Sequence, residues 1–307
     1  MRRFAVGVEA PRVTLKLNRG VPAVQVESIT PAGQFGVQGG DIITAVDGVQ
    51  VKEERSMALL PSLRDSMRDP REDGGGGHDV PSSSTRRPAR LWSTGVVPYE
   101  AAWRLQRRLV EDRLAGQGVD TVLLLEHPPT FTMGRRTLEA HWGGDESSMS
   151  RDGFSVYRIE RGGSVTYHGP GQVVGYPILC LQDYCAGPKA YMGRLEEVLI
   201  RTLADWDIRG YRGAGLPGVW VGDPPAKIAA MGTHIRRGVT MHGFALNVTV
   251  DLMPFQRIVP CGIAGCHVTN MTELLGSAPE SAQVTRRLAD HLAQVFQMHW
   301  IEQRPIP

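Results

Sequence analysis

RGGSVTYHGPGQVVGYPIL, residues 161–179, divides into a glycine-rich half and an apolar half, and that division sets the fold. VVGYPILCL (173–181) has the β-branched and aliphatic content of a strand, as does FSVYRIE (154–160) on the other side. GGSVTYHGPGQ is then expected to be a loop between two strands. Its glycines at 162, 163, 169 and 171 allow positive φ and close approach of the backbone to a ligand. Pro170 and Pro177 stiffen the flanks. The run lacks the G-x-G-x-x-G order of a dinucleotide site, and no G-x-x-x-x-G-K-[ST] occurs in the chain. A ligand is implied; a nucleotide is not.

Strand and helix signals are interspersed around this run. TVLLLE (121–126) is a continuous apolar stretch that suits a buried strand, and further strands are expected at 217–221, 226–231 and 239–248. In the last of these Phe244, Leu246 and Val248 alternate to one face. YEAAWRLQRRLVEDRLAG (99–116) is an amphipathic helix with Ala102, Leu105, Leu109 and Val110 on one side. Helices are also expected over 190–206 and over 281–297, where Val284, Leu288, Leu292 and Val295 follow the 3.6-residue period. The mixture is that of an α/β domain, a mixed sheet with flanking helices.

Composition excludes several classes. Hydrophobic residues at 41% and charged residues at 21% are those of a globular protein able to build a core. A net charge of +2, with no basic run interleaved with aromatics, argues against nucleic acid. No apolar run approaches the roughly 18 residues of a membrane span, so no membrane role is expected. The N-terminal stretch lacks the apolar segment of an export signal. Four cysteines in 307 residues do not make a disulfide framework, and a reducing cytoplasm is the expected compartment.

Residues 68–90, RDPREDGGGGHDVPSSSTRRPAR, read as a disordered linker: they are charged and rich in glycine, serine and proline, with one large aliphatic residue, Val80. They separate a front module, 1–67, from a larger domain, 91–307. VTLKL, PAVQVESI and DIITAVDGVQV in the front module read as short strands, with a turn at Asp47-Gly48. SITPAGQFGVQGGDIITAVDGVQV resembles the central stretch of a PDZ domain. SMALLPSLRDSM supplies a helix interrupted by Pro61, and no closing strand follows before the linker. The module reads as an incomplete peptide-binding domain or as the product of a start codon placed too far upstream, without a part in catalysis.

Lysine and arginine number 34 together, and only Lys16, Lys52, Lys189 and Lys227 are lysines. Where nearly every cation is arginine, a lysine in the apolar run AKIAAMG (226–232) asks for a chemical reason. Arginine keeps its proton in a protein, whereas lysine can release it. Cys261 lies between Pro260 and Gly262, a loop context rather than a core helix. A thiolate nucleophile with a proton-transfer lysine points to acyl transfer.

Six spaced blocks together resemble the bacterial lipoyl(octanoyl) transferases, also called octanoyl-acyl carrier protein:protein octanoyltransferases. They are LLLEHPPTFTMGRR (123–136), the run at 161–179, GVWV (218–221), AKIAAMG (226–232), VTMHGFALNV (239–248) and IVPCGI (258–263) with VTNM (268–271). The resemblance covers 91–297 and implies the fold shared by lipoate and biotin protein ligases. It also implies ping-pong acyl transfer from the phosphopantetheine thiol of acyl carrier protein to an enzyme cysteine. The acyl group then passes to a lysine amine on lipoyl domains of 2-oxoacid dehydrogenase complexes or on the glycine cleavage H protein. No metal and no other cofactor is implied. Residue by residue, the nucleophile is Cys261 and the proton-transfer lysine Lys227. Substrate contacts fall on Arg161, Gly162, Gly163, Ser164, Val165, Thr166, Tyr167 and His168, on Ala230, Met231 and Gly232, and on Gly243, Phe244 and Ala245.

The chemistry makes sense of these residue types. Exchange of one thioester for another is nearly isoenergetic, so no ATP is needed. A free thiol, with its pKa near ~8.5, is mostly protonated at neutral pH, and a nearby ammonium stabilises the thiolate. Once the cysteine is acylated that charge is gone, and the lysine is free to act as base toward the incoming amine. An acyl tail also needs an apolar slot, for which Val165, Phe244 and Leu246 are candidates. Backbone N–H groups of the glycine loop or of GFAL are candidates for the oxyanion.

Other residues keep two readings. His168 contacts substrate or bonds the glycine loop to itself; His242 is a site wall or a satisfied, partly buried group. His127 anchors its loop. Arg161 meets an anionic group or a neighbouring carboxylate, and Arg135 and Arg136 face acidic carriers or water. Cys266 is a small hydrophobe, or a metal or thiol partner of Cys261, although the spacing is loose for a structural zinc pair. Cys180 and Cys185 are expected in the core.

Overall fold

The computed structural model describes residues 86–213, 216–263 and 265–307, together with five strands near the front of the chain. The chain divides into two compact units, Met1–Gly77 and His78–Pro307. In the first unit β1 (Arg12–Leu17), β2 (Val24–Thr30) and β3 (Ile42–Ile43) form an antiparallel sheet in that order. β4 (Ala45–Val46) pairs with β5 (Val49–Gln50), Val46 opposite Val49, on either side of the expected Asp47-Gly48 turn. The expected helix at SMALLPSLRDSM and the linker residues 68–85 lie outside the described residues.

The second unit is built on a mixed sheet of nine strands. They are β6 (Arg87–Val96), β7 (Thr121–Glu126), β11 (Gln172–Ile178), β12 (Tyr211–Gly213), β13 (Leu216–Val221), β14 (Ala226–Arg236), β15 (Val239–Asn247), β16 (His267–Val268) and β17 (Met298–Arg304). The order is β12-β13-β14-β15-β11-β7-β6-β17, with β16 added beside β14. β6 runs parallel to β7 and to β17, and β16 is parallel to β14; the other neighbours are antiparallel. A smaller sheet holds β8 (Thr130–Met133) between β9 (Ser155–Arg158) and β10 (Val165–His168).

β7 shows why a continuous apolar run marks the centre of this fold. Side chains alternate along a strand, so Val122 and Leu124 enter one core while Leu123 and Leu125 enter another. The first core lies under α3 (Pro188–Ala204) and α5 (Ser281–Val295), through Leu195, Leu199, Leu288 and Leu292. The second lies under α1 (Tyr99–Leu114), through Ala102, Leu109 and Val110, with Leu105 partly buried beside them. A third core joins the small sheet to the segments around it through Phe131, Trp142, Val165, Tyr167, Phe255 and Ile258. The short helices α2 (Glu146–Arg151) and α4 (Met271–Leu275) complete the unit, capped by Asp145 and Asn270, whose side chains accept from Ser148 N and Glu273 N.

Two expectations change. Residues 87–90, assigned by composition to the linker, open β6, and Arg90 Nε lies 2.9 Å from Glu302 Oε2 on β17. GGSVTYHGPGQ is not one loop, because Val165–His168 is β10, antiparallel to β8. No helix among the described residues is long and apolar enough to cross a membrane.

Candidate active site

A cavity of about 530 Å³ is lined from both sheets, and Lys227 and Cys261 both face it. β14 and β15 supply one wall in paired register: Ala230 opposite Ala245, Met231 opposite Phe244 and Gly232 opposite Gly243. β10, with Ser164 just before it, supplies another through Ser164, Thr166 and His168. Phe244, Val174, Met192, Leu216 and Ile263 give the cavity apolar surface of the kind an acyl chain requires.

Lys227 is only 3% exposed. Its Nζ donates to the Pro217 carbonyl at 3.2 Å and lies 4.7 Å from the centre of the Trp220 ring, a cation–π contact. Among the described residues it has no carboxylate partner. A buried cation without a counter-charge is costly, so a position on the cavity wall suits an anion supplied by the site itself or by substrate. Cys261 sits in the short turn Pro260–Gly262 with φ 58° and ψ 12°, the left-handed region. A non-glycine residue holds that conformation only where its surroundings impose it.

Arg161, 8% exposed, donates through Nη2 to Thr132 O at 2.6 Å and Thr132 Oγ1 at 2.9 Å, and through Nη1 to Gly162 O at 3.0 Å. Of its two readings, the neighbouring carboxylate is absent among the described residues. Burial works against its charge, while Tyr99, Cys261 and Tyr176 in ionised form would favour it. His168 is held by Gln172 Oε1 at 2.7 Å and Thr132 Oγ1 at 3.3 Å, so it both braces this region and faces the cavity. Burial pushes it well below the usual histidine range.

His242, with φ 57°, also faces the cavity, and its Nε2 lies 3.9 Å from Glu160 Oε2, too far for a hydrogen bond. That nitrogen has no partner among the described residues, and burial lowers the group's pKa. His127 anchors its loop as expected: Nδ1 donates to Val97 O at 2.7 Å, which leaves Nε2 to accept from Tyr176 Oη at 2.8 Å. Burial takes it down to about 4.

Val165 and Tyr167 do not line the cavity. Strand alternation turns them away from Ser164, Thr166 and His168 and into the third core beside Phe131. Leu246 likewise belongs to the first core, while Phe244 serves both core and cavity. Gly162 does line the cavity, but its N–H is already donated to Thr233 O at 2.9 Å and is not available to an oxyanion. Arg136 reaches the cavity wall and Arg135 does not. Cys180 and Cys185 are partly buried rather than fully in the core, and Cys185 packs against the first core. Cys266 is near enough to feel the charges of Lys227 and Cys261, and burial pushes its thiol up. No cluster of three or more His, Cys, Asp or Glu suited to a metal occurs among the described residues.

Sequence reasoning passed over Tyr99, Tyr176 and His141, all on the cavity wall. Tyr176 carried a usable signal, a hydroxyl in an otherwise buried strand. Tyr99 and His141 had none, because each reaches the site from a different element.

A family model described as the lipoyl protein ligase A/B catalytic domain matches residues 98–293. An octanoyltransferase of Roseiflexus sp. (strain RS-1) is 44% identical over 213 residues, 69% of this chain and 89% of that relative. One from Chloroflexus aggregans is 45% identical over 213 residues, 69% of this chain and 96% of the relative. Among solved structures, a bi-partite lipoate protein ligase from Thermoplasma acidophilum matches with a TM-score of 0.56 at 15% identity, over 72% of this chain and 88% of that one. At that identity the likeness speaks for the fold alone, a mixed sheet with flanking helices. The family model spans more than half of the chain, and the curated relatives are covered over most of their length. The chain therefore belongs to the lipoyl protein ligase A/B catalytic-domain family and, within it, to the octanoyltransferases, which are acyltransferase enzymes of protein lipoylation.

Proposed function

We propose that the octanoyl donor is the phosphopantetheine thioester of acyl carrier protein and that the acyl group passes through a thioester on Cys261. The acceptor is the ε-amine of a lysine on a lipoyl domain, as in 2-oxoacid dehydrogenase complexes and the glycine cleavage H protein. The observation that carries this reading is the buried ammonium of Lys227, without a carboxylate partner among the described residues, on the wall of the same cavity as Cys261. Such an ammonium stabilises a thiolate by direct charge attraction.

The Cys261 thiolate attacks the donor carbonyl, the carrier's C–S bond breaks, and the carrier thiol leaves with a proton from Lys227. Lys227, now neutral and no longer facing a negative sulfur, takes a proton from the incoming lysine ammonium. The freed amine attacks the Cys261 thioester, an amide forms, one proton passes to water, and the thiolate and ammonium are restored. Each buried methylene of the tail contributes about 0.8 kcal/mol toward holding the donor. The reaction asks for no metal and no cofactor of the enzyme's own. Four free thiols fit a reducing cytoplasm as its setting.

The test is transfer from octanoyl carrier to a purified lipoyl domain with and without ATP. Equal rates, lost in Cys261→Ala, are expected. A strict ATP requirement that survives Cys261→Ala would place the chemistry with the ligases instead.

A further inference from the structure

We propose that His141, together with Ser164, is a positioning residue that clamps the Cys261 turn in its left-handed conformation; the inference rests on the acyl-enzyme reading above. His141 lies on the turn Glu139–His141, outside every sequence block that carried the family resemblance.

Three contacts build the clamp. The backbone carbonyl of His141 accepts from Val259 N at 2.7 Å, tying down the residue that opens the cysteine turn. Its ring Nδ1 lies 2.6 Å from Ser164 Oγ on the cavity wall. The ring also packs on Gly262: a β-carbon there would lie 3.0 Å from His141 Cε1 and 3.3 Å from Ser164 Cβ. Gly262 has φ 72°, so Cys261 and Gly262 are consecutive left-handed residues, closed by Gly262 N to Val259 O at 2.9 Å. Glycine at 262 is therefore favoured twice, by its φ and by the ring against it.

The hydrogen bonds fix the direction of the clamp. Leu138 N, which can only donate, reaches His141 Nδ1 at 3.3 Å. Nδ1 is then an acceptor, the ring proton is on Nε2, and Ser164 donates its hydroxyl. All three parts are rooted in the third core: Trp142 follows His141, Val165 follows Ser164, and Ile258 lies just before the turn. A side chain that sets the nucleophile's backbone sets where Sγ points, and misplacement by about 1 Å can cost ~100-fold in rate.

The test compares His141→Ala, His141→Asn, His141→Gln, Ser164→Ala and the His141→Ala/Ser164→Ala pair. Acyl-enzyme formation is followed at saturating octanoyl donor, and alkylation of Cys261 by iodoacetamide is followed without donor. His141→Ala is expected to slow acylation ~100-fold with donor KM little changed, the mark of lost positioning rather than lost binding. Asparagine, whose Oδ1 takes the place of Nδ1, restores most of the rate, and glutamine, whose oxygen falls near Nε2, does not. The double variant is no worse than the worse single one, since both remove one contact. Alkylation follows the same order. Wild-type acylation and alkylation in His141→Ala, asparagine no better than alanine, or fully multiplicative effects would overturn the clamp. Absence of any Cys261 adduct in the unsubstituted chain would instead overturn the acyl-enzyme reading, while the alkylation rates would still judge the clamp.

Discussion

Val268 is the parallel strand partner of Lys227, and this pair brings the cysteine turn to the lysine. Thr269 N donates to the Lys227 carbonyl at 3.0 Å, extending the same ladder. The chain leaves Cys261, turns, and returns along β14 as β16, so two distant positions in sequence meet on one cavity. Lys227 is placed by backbone pairing, and its side chain by Pro217 and Trp220.

Lys227→Met should separate charge from packing. Removing a proton-transfer group costs ~10²- to 10⁴-fold, and overall octanoyl transfer should fall by that much. Replacing a buried ammonium that has no carboxylate partner among the described residues by an apolar chain of similar length should leave the unfolding midpoint unchanged or raised. Lys227→Arg should keep the charge that stabilises the thiolate but release no proton, so the carrier leaves as a thiolate protonated by water and acylation slows. The second half-reaction then fails for want of a base, and acyl-enzyme accumulates. Parallel assays of transfer and of thermal unfolding decide the matter; full activity in Lys227→Met would contradict the assignment.

Gly175→Ala should reshape the acyl slot. Gly175 pairs with Phe244, and a β-carbon at 175 would fall 2.2 Å from Phe244 Cζ. The ring has to move, and it stands between the first core and the cavity. Transfer of octanoyl should fall more than transfer of a shorter acyl group, read as the ratio of kcat/KM for the two donors. An unchanged ratio would mean that Phe244 does not bound the tail.

Acid should weaken the fold through its buried histidines. His127 is held at about 4 by burial, with its bond to Val97 opposing in part. His168 and His242 are shifted down for the same reason. The unfolded chain, with histidine near ~6.5, binds more protons over that interval, so stability is complete above pH ~6.5 and lost as pH falls toward 4. For His127 alone the linkage is on the order of 3 kcal/mol. Urea unfolding across this window should show the loss, and His127→Gln should flatten it. A midpoint independent of pH between 6.5 and 4 would contradict this account.

Removing residues 1–85 should leave octanoyl transfer intact, whereas removing 1–96 should abolish folding. β6 lies between β7 and β17, and its loss would expose both partners. Expression and transfer activity of the two truncations provide the check.

What the sequence showed and hid follows from how each residue is placed. β7 was legible because it is apolar on both faces, and α5 because Val284, Leu288 and Leu292 repeat at the helical period into one core. β10 was hidden because glycines on both sides made Val165–His168 read as loop. The family resemblance placed the whole run Arg161–His168 among the substrate contacts, and without a strand no alternation set Val165 and Tyr167 apart from it. β17 was hidden by its composition: Met298–Arg304 is an edge strand, largely exposed, with charges at Glu302 and Arg304. β6 began inside a run whose arginines and Pro88 resembled the linker before it. Lys227 and Cys261 were legible as residue types out of keeping with their surroundings. His141 was not, since its relation to Cys261 exists only through the turn that folds against it.

The most direct test of the central claim is intact-mass measurement of the protein after brief mixing with octanoyl-acyl carrier protein in the absence of acceptor. One added octanoyl group on Cys261, discharged on adding a lipoyl domain and absent in Cys261→Ala, is the predicted result. An unmodified chain that nevertheless octanoylates the lipoyl domain, or an adduct that persists in Cys261→Ala, would contradict it.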